Sequence, residues 1–499
     1  MPHHQEPLIK TTLKKGFTLY LSNILILKWS SKVIKMQSNV FDLIIIGGGP
    51  GGYVAAIRAS QLGFNVACVE KKNTLGGTCL NEGCIPSKTL LNASQKYSEI
   101  SNNGLNEIGV RATNVKLDLD QMMTNKNEVV TGLTKGIDQL FNKNKITRLS
   151  GHAEIKSPGQ VQIKSGPDKG IFEAKRIIIA TGSKPVSPQG IEIDEKTIVS
   201  SSGALTLSKV PKKLLVIGAG YIGIEMASVW SRLGAKVEVI DALPNILNGM
   251  DGEIISKFKS ILKKQGVTFT LGSSLKQIKK NKSRLMVTIF DEKNSKESKI
   301  ECDILLIAVG RSPNTENLGI ESLGIIKTEM GHIDVDEKFE TNIPGIFAIG
   351  DVIEGPMLAH KAEEDGVAAV ELMAGIAGHV DYGLIPGIVY THPEIAYVGK
   401  TEDQLKAEGH SFKKSVFPFL ANSRARATGH TDGLVKLLAD SETDKLLGAH
   451  IIGSDAGNLI HEICTAMSFG AAAEDIARTC HGHPTMNEAI KEAALGLGT

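Results

Sequence analysis

A chain of 499 residues is too long for one ordinary core, and a content of 41% hydrophobic and 22% charged residues is globular, which excludes fibrous and disordered classes. The net charge is +2, but residues 1–36 hold six lysines against one acid, a local +5 that leaves −3 for the remainder. A mildly acidic body gives no electrostatic footprint for nucleic acid, and six cysteines are too few for a secreted disulfide scaffold of this length.

Residues 1–36 are basic and poor in acid, as targeting segments are, yet they lack the arginines such segments usually carry. The alternative is that Met36 is the true start. The apolar stretch "FTLYLSNILILKW" (17–29) is shorter than the roughly 20 residues a membrane span needs. No membrane association is expected, and 1–36 is left out of the fold reading.

The first unit, 40–184, opens with "FDLIIIGGGPGGYVAAIRASQLGFNVACVE", which reads as strand, turn, helix, strand. Gly47, Gly49 and Gly52 form G-x-G-x-x-G, and Glu70 ends the second strand. The first glycine permits the tight turn, the second lets backbone approach a pyrophosphate, and the third lets helix and strand pack closely. The helix N-terminus then offers free N–H groups and a positive dipole end, and the terminal acid can accept from a ribose diol.

"GGTCLNEGCIPSKTL" (76–90) follows, with Cys79 and Cys84 five positions apart. On a regular helix such residues point about 140° away from each other. A bond between them needs an irregular turn, which Gly83 and Pro86 suit. A pair so placed is a candidate for reversible thiol exchange; the alternative is two buried, inert thiols. No zinc-type cysteine spacing is present, so no metal is expected.

Residues 185–312 repeat the first pattern in "KLLVIGAGYIGIEMASVWSRLGAKVEVID", with Gly218, Gly220, Gly223 and the terminal acid Asp241 at the same offset. Two complete copies point to two dinucleotides and to electron transfer between them. No arginine follows Asp241 in "ALPN" to receive a 2′-phosphate, which favours NAD over NADP. Glu225 lies inside the second helix where the first copy has Val54. A carboxylate there is costly unless it is paired or exposed. Residues 313–381 and 382–499 complete the chain. The latter ends with "HGHPTMNE", in which Glu488 is close enough to His483 for a turn to join them.

These stretches, together with "ATGSKP" (180–185), "AVGRSPNT" (308–315), "FAIGDV" (347–352), "MLAHKAEEDG" (357–366) and "YTHPEIAYVG" (390–399), make the chain from about residue 40 to 499 resemble the class I pyridine nucleotide–disulfide oxidoreductases. The resemblance implies an α/β fold with two Rossmann-like domains plus a C-terminal α+β dimerisation domain. It implies FAD, tightly bound and one per subunit, in 40–184, completed by the central segment 313–381, and NAD+/NADH in 185–312. It assigns to FAD the residues Gly47, Gly49, Gly52, Glu70, Gly77, Thr78, Lys88 near the phosphates, Ala153, Thr181, Gly182, Ser183, Asp351, Met357, Leu358, Ala359 and His360. Gly218, Gly220, Gly223, Glu225 and Asp241 are assigned to the second dinucleotide, and Gly310 is a further cofactor contact.

By the same resemblance Cys84 is the flavin-facing thiolate and Cys79 the exchanging thiol. Lys88 pairs with Glu225 near the nicotinamide, and His483, oriented by Glu488, is the acid–base supplied across a homodimer. His481 has no such role. The closest branch oxidises dihydrolipoamide carried on the lipoyl domains of the acyltransferase component of 2-oxo acid dehydrogenase complexes. A bacterial cytoplasm is the expected location, or the mitochondrial matrix for a eukaryotic chain. A glutathione-type reductase would want basic residues after Asp241, and a mercuric reductase a C-terminal cysteine pair beyond Cys480.

Overall fold

The computed structural model describes residues 39–498 apart from 103, 282 and 283. The expectations for residues 1–36 lie outside the described residues. β1 (Val40–Ile46) and β2 (Val66–Glu70) flank α1 (Pro50–Gln61). α2 (Gly77–Glu82) and α3 (Cys84–Ser101) are separated only by Gly83, and α4 (Leu119–Lys143) follows. β3 (Thr147–Ser150), β4 (His152–Ser157), β5 (Gln160–Ser165) and β6 (Gly170–Ile179) complete most of the first sheet. Its order is β3-β2-β1-β6-β5-β4. The strands β3, β2, β1 and β6 are parallel, as the crossover through α1 requires. Leu43, Ile44 and Ile45 of β1 are fully buried, the continuous apolar run of a strand covered on both faces. Each such side chain contributes about 1.5–3 kcal/mol relative to exposure.

β7 (Ser183–Pro185), β8 (Ile198–Val199) and the short α5 (Ser201–Ala204) lead into the repeat: β9 (Lys213–Ile217), α6 (Tyr221–Arg232), β10 (Lys236–Asp241), α7 (Gly252–Lys264) and β11 (Val267–Leu271). An antiparallel meander of β12 (Ser273–Asn281), β13 (Arg284–Asp291) and β14 (Lys296–Cys302) follows, then β15 (Ile304–Ile307). The second parallel sheet runs β11-β10-β9-β15-β8. β16 (Arg311–Pro313) pairs with β7, so chain entering and leaving the second unit runs as two adjacent strands. β17 (Ile346–Ala348) then adds to β6 in the first sheet, returning the chain to the first unit.

α8 (Ala359–Met373) packs along α1; at their crossing, a Cβ on Gly51 would meet Ala362 O at 2.9 Å. The last unit holds β18 (Gly387–Val389), β19 (Glu394–Gly399), α9 (Glu402–Ala407), β20 (Phe412–Pro418), α10 (Ser423–Thr428), β21 (Leu434–Asp440) and β22 (Leu446–Gly453). Its antiparallel sheet, β18-β19-β22-β21-β20, is covered by α11 (Ala456–Ser468), α12 (Ala473–Arg478) and α13 (Glu488–Leu495). The expected fold class, two Rossmann-like units and an α+β domain, is the observed one. Among the described residues, no helix is long and apolar enough to cross a membrane.

Candidate active site

The two glycine turns are built alike. Gly47 and Gly218 take φ of +113° and +106°, a region in which a side chain is strained. A Cβ on Gly52 would lie 1.8 Å from Gly47 O, and one on Gly223 2.0 Å from Gly218 O, so helix and turn touch backbone to backbone. Gly49 and Gly220 cap their helices without any side-chain hydrogen bond, which leaves the first N–H groups for a ligand. Glu70 accepts from the N–H groups of Gly48 (3.0 Å) and Lys72 (2.8 Å). Asp241 does the same with Ala219 (2.6 Å) and Leu243 (2.8 Å). Each acid therefore locks its turn while keeping lone pairs for a ribose. Both cradles have the shape and donors that a dinucleotide needs.

α2 rises from the first turn, where the Gly76 N–H donates to Gly48 O at 2.8 Å. Gly77, Thr78 and Cys79 lie in its first turn, and Cys84 opens α3. The break at Gly83 lets the two sulfurs face each other: Cys79 and Cys84 are free thiols joined by a hydrogen bond. That hydrogen bond, aided by Lys88, lowers the Cys84 thiol to about 7 despite burial and Glu225. A position at a helix N-terminus favours a thiolate in the same sense. Cys79 is pushed well up, by its bond to Cys84 and then by burial. The pair thus divides into thiolate and thiol.

One turn into α3, Lys88 Nζ reaches both oxygens of Glu225 on α6, at 2.7 and 3.0 Å. Glu225 is 4% exposed and takes a third bond from Tyr390 N–H at 3.0 Å. The Tyr390 ring lies 4.6 Å from the ammonium. Of the two roles expected of Lys88, the pairing with Glu225 is the one the structure brings together. This pair joins the cysteine helix to the second fingerprint helix.

Thr181, Gly182 and Ser183 follow β6. Thr181 Oγ1 donates to Asn314 O at 2.7 Å, and the Ser183 hydroxyl donates to Asp351. Arg311 donates to the same hydroxyl and to Ser183 O, both at 2.7 Å. Gly310 O accepts from Val186 N at the paired strands β7 and β16. Behind Asp351, Lys361 and Asp365 form a fully buried pair at 2.8 Å. Lys361 also donates to Gly350 O, while Asp365 accepts from Gly350 N and Tyr382 Oη, so the pair is satisfied and fixes this turn. Ala153 is buried in the core of the first sheet. Met357, Leu358, Ala359 and His360 are half-buried around the start of α8, with His360 Nε2 bonded to Pro386 O.

Sequence reasoning missed Arg311, Tyr390 and the Tyr53–Glu363 pair. Tyr53 Oη donates to Glu363 Oε1 at 3.2 Å. Burial raises both groups, and both interact electrostatically with Cys79. All of them sit inside the quoted stretches, but a motif does not reveal a partner more than a hundred residues away.

At the C-terminal end, His483 Nδ1 meets Glu488 Oε1 at 2.9 Å, and Glu488 also accepts from Thr485 N–H. The His483 side chain is 70% exposed. His481 is only 7% exposed and is held by Glu462 at 2.7 Å. The two histidines therefore differ: one is oriented and accessible, the other is anchored.

Residues 41–366 match the pyridine nucleotide-disulphide oxidoreductase family, and 385–494 match that family's dimerisation domain. The chain belongs to this family: it is an NAD-dependent flavoprotein disulfide oxidoreductase, with FAD and NAD(H) as its cofactors. Among its relatives it is 53% identical to dihydrolipoyl dehydrogenase 1, mitochondrial, of Arabidopsis thaliana, over 91% of this chain and 90% of that one. It is also 48% identical to leghemoglobin reductase of Glycine max, over 97% and 92%. Among solved structures, the HOCl-induced flavoprotein disulfide reductase RclA from Escherichia coli aligns with a TM-score of 0.80 at 28% identity, covering 91% of this chain and 99% of that one.

Proposed function

We propose that this chain oxidises protein-bound dihydrolipoamide with NAD+ as acceptor, as the flavoprotein component of 2-oxo acid dehydrogenase complexes. The observation that carries the reading is the Cys79–Cys84 pair, split into thiol and thiolate, at the head of a helix whose Lys88 reaches into the second dinucleotide unit. Bound FAD supplies the two-electron acceptor beside Cys84, and NAD+ the final hydride acceptor.

In the oxidised enzyme the two sulfurs are bonded to each other. His483, oriented by Glu488, takes a proton from one substrate thiol, because the thiolate is the nucleophile. That thiolate attacks Cys79, the bond between the cysteines breaks, and Cys84 leaves as a thiolate. The second substrate thiol displaces Cys79, closing the lipoamide disulfide, and Cys79 is left protonated. Electrons thus leave the substrate as one sulfur–sulfur bond forms and another breaks. The Lys88–Glu225 pair positions Cys84 against the nicotinamide site.

The exposed, oriented imidazole supports a homodimer in which the partner subunit's His483 serves this chain's cysteines. The working division is an FAD domain at 40–184, an NAD domain at 185–312, a central segment at 313–381 and an interface domain at 382–499. The FAD contacts are those named from the resemblance, with Arg311 added through Ser183. The lipoyl domains of the acyltransferase component are the partners. The relative's mitochondrial name makes the mitochondrial matrix the location we favour, in place of the bacterial cytoplasm that the sequence reading preferred.

The test is dihydrolipoamide-dependent NAD+ reduction. Cys79→Ser and Cys84→Ser are each expected to abolish it with flavin still bound, and undiminished turnover in either sinks the reading. His483→Gln should slow the thiol half-reaction by about 10²–10⁴-fold while the flavin-to-NAD+ half-reaction keeps its rate.

A further inference from the structure

At the end of α3 remote from the cysteines, three side chains from distant parts of the chain converge. Glu99 comes from α3, His392 from the loop before β19, and His430 from just after α10. One ligand atom from each lies within 4.8 Å of the others. We propose that Glu99, His392 and His430 bind a divalent transition cation of the zinc type, at a site separate from the redox cysteines.

Two imidazoles and a carboxylate suit such ions, with a fourth position left to water. Donors around a tetrahedral ion stand about 3.4 Å apart, given bonds near 2.0–2.1 Å. Closure therefore asks for about an ångström of side-chain movement, and exposed His430 has room for it. Glu99 Oε1 accepts from Gln95 Nε2 at 2.7 Å, which steadies the carboxylate. The two imidazoles meet edge to face with centroids 5.3 Å apart, and among the described residues neither ring has a hydrogen-bond partner. The backbone of His392 is anchored from outside, its carbonyl accepting from Gln265 Nε2 at 2.7 Å.

The site would clasp α3, which begins at Cys84, to the segment whose Tyr390 N–H holds Glu225. Nothing in the spacing of these three residues announces it, which is why the sequence pointed to no metal.

The experiment is equilibrium dialysis of oxidised, FAD-loaded enzyme against zinc chloride. In that state Cys79 and Cys84 are bonded to each other and offer no thiolate. The expected result is one zinc per chain, with affinity reduced about tenfold or more in His430→Ala and in Glu99→Gln. Zinc should also raise the thermal midpoint of the parent enzyme and not that of His430→Ala. His430 is exposed and Gln keeps the shape of Glu99, so both variants should fold. Zinc taken up only by the reduced enzyme, or held equally by both variants, overturns the proposal.

Discussion

At Gly49 an added Cβ would stand 3.6 Å from Gly77 Cα, whereas at Gly220, its counterpart in the second turn, it would meet nothing within 4 Å. The turns themselves match in φ, in helix capping and in the acid that braces each one. What differs is the cover. The two turns are tied down alike, through Gly76 N to Gly48 O and Leu247 N to Ala219 O, but the start of α2 lies over the first, whereas Gly220 is exposed. One sequence pattern therefore yields a covered turn and an exposed one. The covered site is expected to retain its dinucleotide and the exposed one to exchange it. The second contrast is at the helix interior, where Val54 of the first copy is replaced by Glu225, bound to Lys88.

The strongest way to break this comparison is at the third glycines. Gly52→Ala should yield protein without flavin, while Gly223→Ala should keep flavin and lose NAD+ reduction. Flavin absorbance after purification checks both, and loss of flavin in Gly223→Ala would show that the units do not fold separately enough for the contrast to hold.

Next in size is Gly220→Ala. The protein has room for the methyl group, so unfolding should be unchanged, while the KM for NAD+ rises about tenfold, or about 1.4 kcal/mol of binding. Gly49→Ala should instead show its effect as slower flavin retention.

Lys88→Met strands the Glu225 carboxylate with only the Tyr390 N–H. A cost of about 1–3 kcal/mol is expected, less than for a wholly buried pair because Lys88 is about a third exposed. The urea midpoint measures it, and Lys88→Met combined with Glu225→Met should recover part of the loss.

The smallest effect is in pH. A thiol lowered to about 7 is ionised above that pH and protonated below it, so ultraviolet thiolate absorbance of the reduced enzyme should fall as pH drops through 7. Cys84→Ser should remove that step.

Much of this was legible because it is local. The glycine turns, the acid at each strand end, the break at Gly83 and the His483–Glu488 turn all involve residues close in sequence, where spacing fixes geometry. Lys88 and Glu225 were paired only through the resemblance, since a buried carboxylate demands a partner but does not say which. The resemblance also places Lys88 near the flavin phosphates; its ammonium is bonded to Glu225. Arg311, Tyr390 and Glu363 were illegible for the same reason: their partners Ser183, Glu225 and Tyr53 are far along the chain and meet them only when the sheets close. The roof over the first turn belongs here too, because no glycine pattern tells whether another helix will lie across it.

Asp241 shows what a shared duty costs a protein designer. Its carboxylate secures Ala219 and Leu243, and the resemblance also assigns it to the sugar. Converting this oxidoreductase to accept a 2′-phosphorylated coenzyme by removing that acid would slacken the loop along with the selectivity. A successful conversion has to supply a substitute brace for those two amides, and a variant library that ignores them will trade catalytic efficiency for its new preference.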